Sequence, residues 1–97
     1  MIWNENNEII LITKTIENYF NVSIERLLNQ PWQLIFPAHI IQQIESHFKE
    51  SSEVFYVPKQ MITHRGNTPV IFSISIEAIE TDNKRFFICT MTDITIN

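Results

Sequence analysis

The sequence predicts one α+β domain, in which helices separate an N-terminal from a C-terminal group of strands. Residues 70–79 alternate apolar and polar side chains with the period of a strand, and residues 85–92 are rich in aromatic and β-branched residues. Residues 37–48 instead repeat apolar side chains at helical spacing. A chain of 97 residues has room for one core, so we expect residues 1–97 to form one domain with helices packed on one sheet face.

The N-terminal strand group is a predicted hairpin. Ile2 and Trp3 end a short strand, and residues 9–12 form its partner across the polar turn at residues 4–7. Asparagine tolerates a positive φ almost as well as glycine does. Because Gly66 is the only glycine in the chain, we expect asparagine to occupy left-handed positions elsewhere too.

Three helices are predicted between the strand groups. Residues 14–20 form the first helix, which ends at Asn21, and Ser23 caps a second helix that closes at Asn29. The third and longest helix begins at Pro37, a residue that suits a first helical turn. Its apolar face contains Ile40, Ile41, Ile44 and Phe48.

The C-terminal group contains three predicted strands. The first spans residues 54–63 and includes Pro58, which cannot donate to a ladder and therefore places this strand at a sheet edge. The last strand is apolar on both faces, so we expect it at the centre of the sheet. One of its faces carries Phe87, Cys89 and Met91, and the other carries Phe86, Ile88 and Thr90.

Composition and charge exclude several classes of partner. The net charge is −4 and the seven basic residues are scattered, whereas nucleic-acid binding needs clustered cations. No apolar run approaches the roughly 20 residues that a membrane helix needs, so no membrane contact is expected. A single cysteine cannot form an internal disulfide and the N-terminus lacks the pattern of a secretion signal, so we expect a cytoplasmic protein.

Catalytic and metal-binding patterns are missing from the sequence. No nucleophile elbow, phosphate loop or paired acidic motif occurs, so we expect this domain not to be an enzyme. His39, His47, His64 and Cys89 lack the spacing of zinc ligands, and no metal site is predicted.

Four short motifs, taken in order, resemble those of the PAS (Per-Arnt-Sim) sensor domain family. Asn-x-x-Asn-x-Ile at residues 4–9 is similar to the family's Asp-x-x-Gly-x-Ile turn, and residues 15–29 resemble its two short helices with Asn at both common Gly positions. Residues 69–75 are similar to its Pro-Val-x-Leu-Ser-Ile-Ser strand. Asp-Ile-Thr at residues 93–95 resembles the motif that commonly closes the domain and starts the connector to an effector.

The resemblance implies a five-stranded antiparallel sheet in the order 2-1-5-4-3, with one longer helix and short helices on one face. It also implies a sensory and dimerisation module of a bacterial-type signalling protein, such as a histidine kinase, a cyclic-dinucleotide enzyme or a transcriptional regulator. The chain is then a piece of a larger protein, and Asp93, Ile94 and Thr95 pass the signal to an effector in the same chain. The alternative is a PAS domain that binds other proteins without a ligand.

A ligand pocket between helix and sheet is the first candidate site. By resemblance, its lining consists of Ile40, Ile44, Val70, Phe72, Ile74, Phe87, Cys89 and Met91. These side chains are apolar, whereas specific small-molecule sites add convergent polar groups, so we favour a core filled by these side chains over one that holds an unidentified small ligand.

Neither common PAS cofactor fits the sequence. Haem-binding members supply an axial histidine from the long helix, and the corresponding position here is Ile44. Photoactive flavin members resemble one another in a cysteine-bearing helix, and the matching residues 30–36 contain no cysteine. No cofactor is therefore predicted.

The outer sheet face is the second candidate site. We expect Trp3, Ile71, Phe86 and Ile88 to point away from the helices, and an apolar surface there indicates a protein partner. By resemblance, this face meets a second PAS domain or a flanking N-terminal helix. We therefore expect a homodimer through the outer face.

Overall fold

The computed structural model describes residues 1–96, which form one sheet covered on one face by helices. The strands are β1 (Ile2–Asn4), β2 (Ile9–Leu11), β3 (Phe55–Arg65), β4 (Thr68–Thr81) and β5 (Lys84–Asp93). Between β2 and β3 lie a 3-10 turn (Lys14–Ile16), α1 (Glu17–Phe20), α2 (Ile24–Leu27), a second 3-10 turn (Trp32–Ile35) and α3 (Ala38–Glu50).

The strand order is β2-β1-β5-β4-β3 and every pairing is antiparallel, which confirms the predicted topology. The last strand in the chain, β5, lies at the centre of the sheet, between β1 and β4. The proline-containing strand β3 lies at an edge, where the ladder shifts register between Val57 and Gln60, on either side of Pro58. The edge position predicted from proline chemistry is therefore confirmed.

Within residues 1–96, asparagine occupies four of the six left-handed backbone positions, and Asp82 and Gly66 occupy the other two. Asn7, Asn21 and Asn29 have φ values of 66°, 52° and 68°, and Asn83 in the β4–β5 turn has a φ of 62°. Asn21 ends α1 by donating its backbone N–H to the carbonyl oxygen of Glu17. These residues provide the turns that glycine provides in many other chains.

Ser23 is the N-cap residue of the second helix, as predicted, but it does not supply the capping hydrogen bond. Its backbone is extended, as an N-cap requires. Instead, Glu17 Oε1 accepts a hydrogen bond from the backbone N–H of Ile24 at 3.0 Å. The carboxylate therefore satisfies the start of α2 from the preceding helix.

The core lies between the helices and the inner face of the sheet. Ile74 and Ile76 of β4 are fully buried and lie opposite Met91 and Cys89 of β5. Because directly paired residues share a face, the alternation predicted for both strands is confirmed. From the helical side, the core receives Ile40, Ile44 and Phe48 of α3.

The prediction that Trp3 lies on the outer face is wrong. Trp3 pairs with Phe87 in the ladder and is only 1% exposed, because its ring stacks on Trp32 at 4.7 Å and on Phe87 at 5.6 Å. Its neighbour Ile2 lies opposite Ile88 and takes the outer position. A strand of three residues contains too little alternation to fix its faces, and a one-residue shift exchanges them.

Candidate functional site

Tyr19 of α1 connects the short helices to the end of β5. Its hydroxyl donates a hydrogen bond to Asp93 Oδ2 at 3.0 Å. Its ring packs edge-on against Phe72 with 5.1 Å between centroids, and the guanidinium carbon of Arg65 lies 4.7 Å from the ring centroid. One side chain therefore contacts the inner sheet face, the end of β3 and the last residue of β5.

Residues 93–95, which we call the connector, are held against β4. Thr95 N donates to Asp93 Oδ1 at 2.8 Å, and Thr95 Oγ1 accepts from Ile71 N at 2.9 Å. Ile94 N donates to the carbonyl oxygen of Ile71 at 2.9 Å. The connector is therefore ordered by specific hydrogen bonds to its neighbouring strand.

Asp93 is the acceptor at the centre of these contacts. Hydrogen bonds from the side chain and backbone of Thr95, and secondarily from Tyr19 together with the charge of Arg65, lower the pKa of the Asp93 carboxyl. The carboxyl is consequently ionised at neutral pH and can only accept hydrogen bonds.

A cavity of about 230 Å³ lies beside these residues, and we call it the α1 cavity. Tyr19 and Asp93 both line it, and its apolar wall includes Ile12, Ile16, Phe72, Cys89 and Met91. Burial raises the pKa of the Cys89 thiol to about 12, so this sulfur is neutral and unreactive at physiological pH.

A second space, of about 370 Å³, opens between α3 and the strands β1 and β5, and we call it the tryptophan cleft. Trp3, Trp32 and Phe87 contribute stacked aromatic rings to it. Trp32 is fixed by a hydrogen bond from its Nε1 to Asn7 Oδ1 at 3.0 Å, across the β1–β2 turn. Charged side chains of Glu45, Lys49 and Arg85 also border this cleft.

The outer face of the sheet carries a continuous apolar surface, which we call the outer-face patch: Ile2, Leu11, Ile79, Phe86 and Ile88. Ile2 lies between Leu11 and Ile88 in the ladder, and Phe86 lies opposite Ile79. Leu11 is 51% exposed and Ile79 is 39% exposed, while the other three side chains are half-buried. This patch crosses four of the five strands, with the central strand in its middle.

A family model described as PAS domain matches residues 1–95. The chain belongs to the PAS family. PAS domains are sensory and signalling modules, so this is the general role of the chain. Searches of curated proteins and of solved structures gave no match.

In this PAS domain the sequence-predicted pocket residues do not surround one pocket. Phe72, Cys89 and Met91 line the α1 cavity, whereas Ile44 and Phe87 line the tryptophan cleft. The remaining candidates are Ile40, Val70 and Ile74, which are buried in the core cluster. The residues of the expected pocket are thus distributed among the α1 cavity, the tryptophan cleft and the packed core.

The predicted dimer-face residues of the PAS domain are also divided. Phe86 and Ile88 lie in the outer-face patch, as expected from the sequence. Ile71 is on the same face, but it is eight residues along β4 from Ile79, or about 26 Å. Ile71 therefore lies beside the connector, where its backbone holds Ile94 and Thr95.

The contacts of His39 and His47 do not test the predicted absence of a cofactor. His39 Nε2 lies 3.3 Å from Gln60 Oε1, and His47 Nε2 lies 2.7 Å from the carbonyl oxygen of Glu53. Within residues 1–96, no three or more His, Cys, Asp or Glu residues are grouped so that they could hold a metal ion. The absence of haem and of photoactive flavin stays a prediction.

No helix in the described part of the chain has the length and apolarity needed to cross a membrane.

Sequence reasoning did not identify Tyr19, Trp32 or Arg85 as site residues. Tyr19 and Asp93 are 74 positions apart, and only the fold brings them together.

Proposed function

We propose that this PAS domain is a sensory and dimerisation module of a cytoplasmic, bacterial-type signalling protein. Two copies associate through the outer-face patch, and the connector passes the signal to an effector in the same chain. That effector is a histidine kinase, a cyclic-dinucleotide enzyme or a transcriptional regulator, and the domain itself catalyses no reaction. The observation that carries the proposal is that the central strand β5 both crosses the outer-face patch and continues into the connector.

The outer-face patch supports self-association by its composition. Its five residues are all apolar, and no charged side chain is among them, so two copies related by a two-fold axis can bury the same surface. Glu77, opposite Ile88 on the same face, is exposed and would lie at the rim of such a contact. Movement of one copy relative to the other would reach both connectors through the two β5 strands.

A double substitution in the patch should abolish the dimer. We expect Phe86→Lys with Ile88→Lys to halve the mass measured by light scattering, because burying two unpaired charges in an apolar contact weakens association by about 100-fold or more. Both side chains are only half-buried in one copy, so the variant should retain its circular dichroism spectrum.

The matched control for this experiment is Leu34→Lys. Leu34 is 63% exposed in the second 3-10 turn, on the helical side of the molecule. Its variant should keep the wild-type mass. A double variant that stays dimeric, or a wild-type chain that is monomeric at millimolar concentration, would refute the proposed interface.

Substitution of Asp93 should uncouple signal from output. In a longer chain that includes the effector, we expect Asp93→Ala to lower the response to signal by about 10-fold, since Tyr19 and Thr95 both lose their acceptor. The thermal midpoint should stay near that of the wild type because Asp93 is exposed. The control is Thr92→Ala, an exposed neighbour on β5, and equal output from the two variants would contradict the relay.

Ligand-independent protein interaction is the second candidate function. It is favoured by the burial of Ile40, Val70 and Ile74, since these predicted pocket residues are packed in the core. Under this alternative, the outer-face patch binds another protein and neither cavity has a ligand. A small molecule that repeatedly co-purifies with the domain, detected by native mass spectrometry, would count against it.

A further inference from the structure

The central strand β5 is paired on both sides along only part of its length. On its β1 side the ladder covers residues 86–88, and the last bonds join Cys89 to Met1. Cys89 N donates to the carbonyl oxygen of Met1 at 2.8 Å, and Met1 N donates to the carbonyl oxygen of Cys89 at 3.0 Å. Among residues 1–96, the rest of the strand, residues 90–93, pairs with β4 alone. We call the unpaired side of residues 90–93 the open edge.

The register determines which backbone groups point into the open edge. In an antiparallel sheet, the N–H and C=O groups of alternate residues in a strand point to the same neighbouring strand. Cys89 bonds on the β1 side, so the N–H and C=O groups of Met91 and Asp93 point to that side too, whereas Ile94 donates to β4. Two donors and two acceptors therefore face the open edge at the spacing of an extended chain.

The two outer edges of the sheet are protected against a further strand. In β3, Pro58 lacks the N–H that a ladder needs, Lys59 is charged and exposed, and the register shifts at these residues. In β2, Ile9 N donates to the carbonyl oxygen of Gln30 at 2.9 Å, and the carbonyl oxygen of Ile9 accepts from Asn29 N at 2.8 Å. The open edge contains neither proline nor lysine and no register shift, so nothing in its sequence opposes pairing.

The α1 cavity lies beside the open edge. Met91 and Asp93 line it, together with Thr13 and Thr15 from the segment that follows β2. Directly paired residues share a face, so a residue placed opposite Met91 directs its side chain to the inner face, where the cavity has an apolar wall. At about 230 Å³ the cavity is smaller than the roughly 300–1,000 Å³ of sites for drug-sized molecules, and its size suits one side chain of a strand.

We propose that the open edge binds an extended segment of another polypeptide, which continues the line of β1 antiparallel to β5 and places one apolar side chain in the α1 cavity. The residue opposite Met91 exchanges two backbone hydrogen bonds with it, and the residue opposite Asp93 exchanges two more. In strand addition of this kind, backbone bonds give affinity and a pocket for a side chain gives specificity. The site is separate from the outer-face patch and goes beyond the function proposed above.

Hydrogen exchange tests whether the edge is open in the 97-residue chain. We expect the Met91 amide to exchange at least about 100-fold faster than the amides of Thr90 and Thr92, whose backbones point to β4. Equal protection of the three amides would show that the edge is already filled and would overturn the proposal. Protection of Met91 that grows with protein concentration would show that a second copy of this chain fills the edge, and would equally overturn the proposed partner.

The peptide acetyl-Thr-Thr-Leu-Thr-amide is the probe for binding, with its leucine placed opposite Met91. It should shift the NMR signals of the Met91 and Asp93 amides with a Kd of about 1 mM, as suits a ligand of few contacts. At about ten times the Kd it should slow exchange of the Met91 amide about 10-fold. Acetyl-Thr-Thr-Asp-Thr-amide should not bind, because its charge enters an apolar cavity without a partner. Equal affinity of the two peptides would remove the cavity from the site.

Two methylated forms of the probe distinguish strand pairing from unspecific contact, and both leave the protein unchanged. N-methylation of the leucine removes the N–H that pairs with the carbonyl oxygen of Met91, so binding should weaken at least about 10-fold. N-methylation of the threonine that follows it alters an N–H pointing away from β5, so the Kd should stay within about 2-fold. Equal affinity of the two methylated forms would refute the inference. Dimer mass by light scattering is an independent measurement, so failure here leaves the proposed interface standing.

Discussion

Replacing Trp3 with alanine is expected to lower the free energy of unfolding by about 3–5 kcal/mol, the usual cost of removing a large buried aromatic side chain. Trp3 is 1% exposed and stacks between Trp32 and Phe87, so its removal leaves a cavity at the junction of β1, β5 and the second 3-10 turn. Small domains are stable by only about 5–15 kcal/mol. The variant should therefore be partly unfolded under conditions in which the wild type is folded.

Urea denaturation followed by far-ultraviolet circular dichroism is the appropriate measurement, because the chain contains two tryptophans and the substitution removes one fluorophore. Trp3→Phe should lose less than Trp3→Ala, since a ring can still stack on Trp32. Leu34→Ala, at an exposed apolar side chain, should change the free energy of unfolding by no more than about 0.5 kcal/mol. A loss below about 1 kcal/mol for Trp3→Ala would contradict the buried position of Trp3 on the inner face of the sheet.

The strands differ in how firmly the sequence determines their faces. β4 contains 14 residues that alternate apolar and polar side chains, so its pattern places Ile74 inside without ambiguity, whereas β5 is apolar on both faces and its inner face was assigned by resemblance to the family. β1 contains three residues, and both Ile2 and Trp3 are large and apolar, so hydrophobicity alone cannot choose between them. The choice is made by Trp32, which offers a stacking partner on the helical side.

The candidate site was predictable where it depends on local sequence. The Asp-Ile-Thr motif locates the connector, and asparagine chemistry locates the turns. The α1 cavity was not predictable, because it depends on how α1 lies across the sheet and on Tyr19 reaching Asp93. The distribution of the expected pocket residues between two spaces and the core was not predictable for the same reason, since it depends on packing in three dimensions.

The structural role of Arg85 could not be predicted either, since in the sequence it is only one of several scattered basic residues. In the structure its Nη1 donates to the carbonyl oxygen of Phe48 at 3.2 Å, and its Nη2 donates to the carbonyl oxygen of Ser51 at 3.4 Å and to Ser52 Oγ at 3.2 Å. Its guanidinium also lies 5.0 Å from the ring centroid of Phe87. One side chain of β5 therefore satisfies the carbonyl end of α3 and attaches that helix to the sheet.

Arg85→Ala should lower the free energy of unfolding by about 2–3 kcal/mol, from the loss of charged hydrogen bonds and of the contact with the aromatic ring. The value should not exceed this range, because Arg85 Nε is buried and finds no acceptor among residues 1–96. Arg85→Lys keeps the charge but not the planar fork, so it should lose about 1–2 kcal/mol.

The measurement for Arg85 is urea denaturation combined with hydrogen exchange at the end of α3. The Ser51 amide donates to the carbonyl oxygen of His47 in the last turn, and its exchange should accelerate in Arg85→Ala more than that of amides in β4. Lys84→Ala, at an exposed neighbour on β5, is the matched control and should change the free energy of unfolding by no more than about 0.5 kcal/mol. Equal stability of the Arg85→Ala and Lys84→Ala variants would show that α3 is held to the sheet by its apolar face alone.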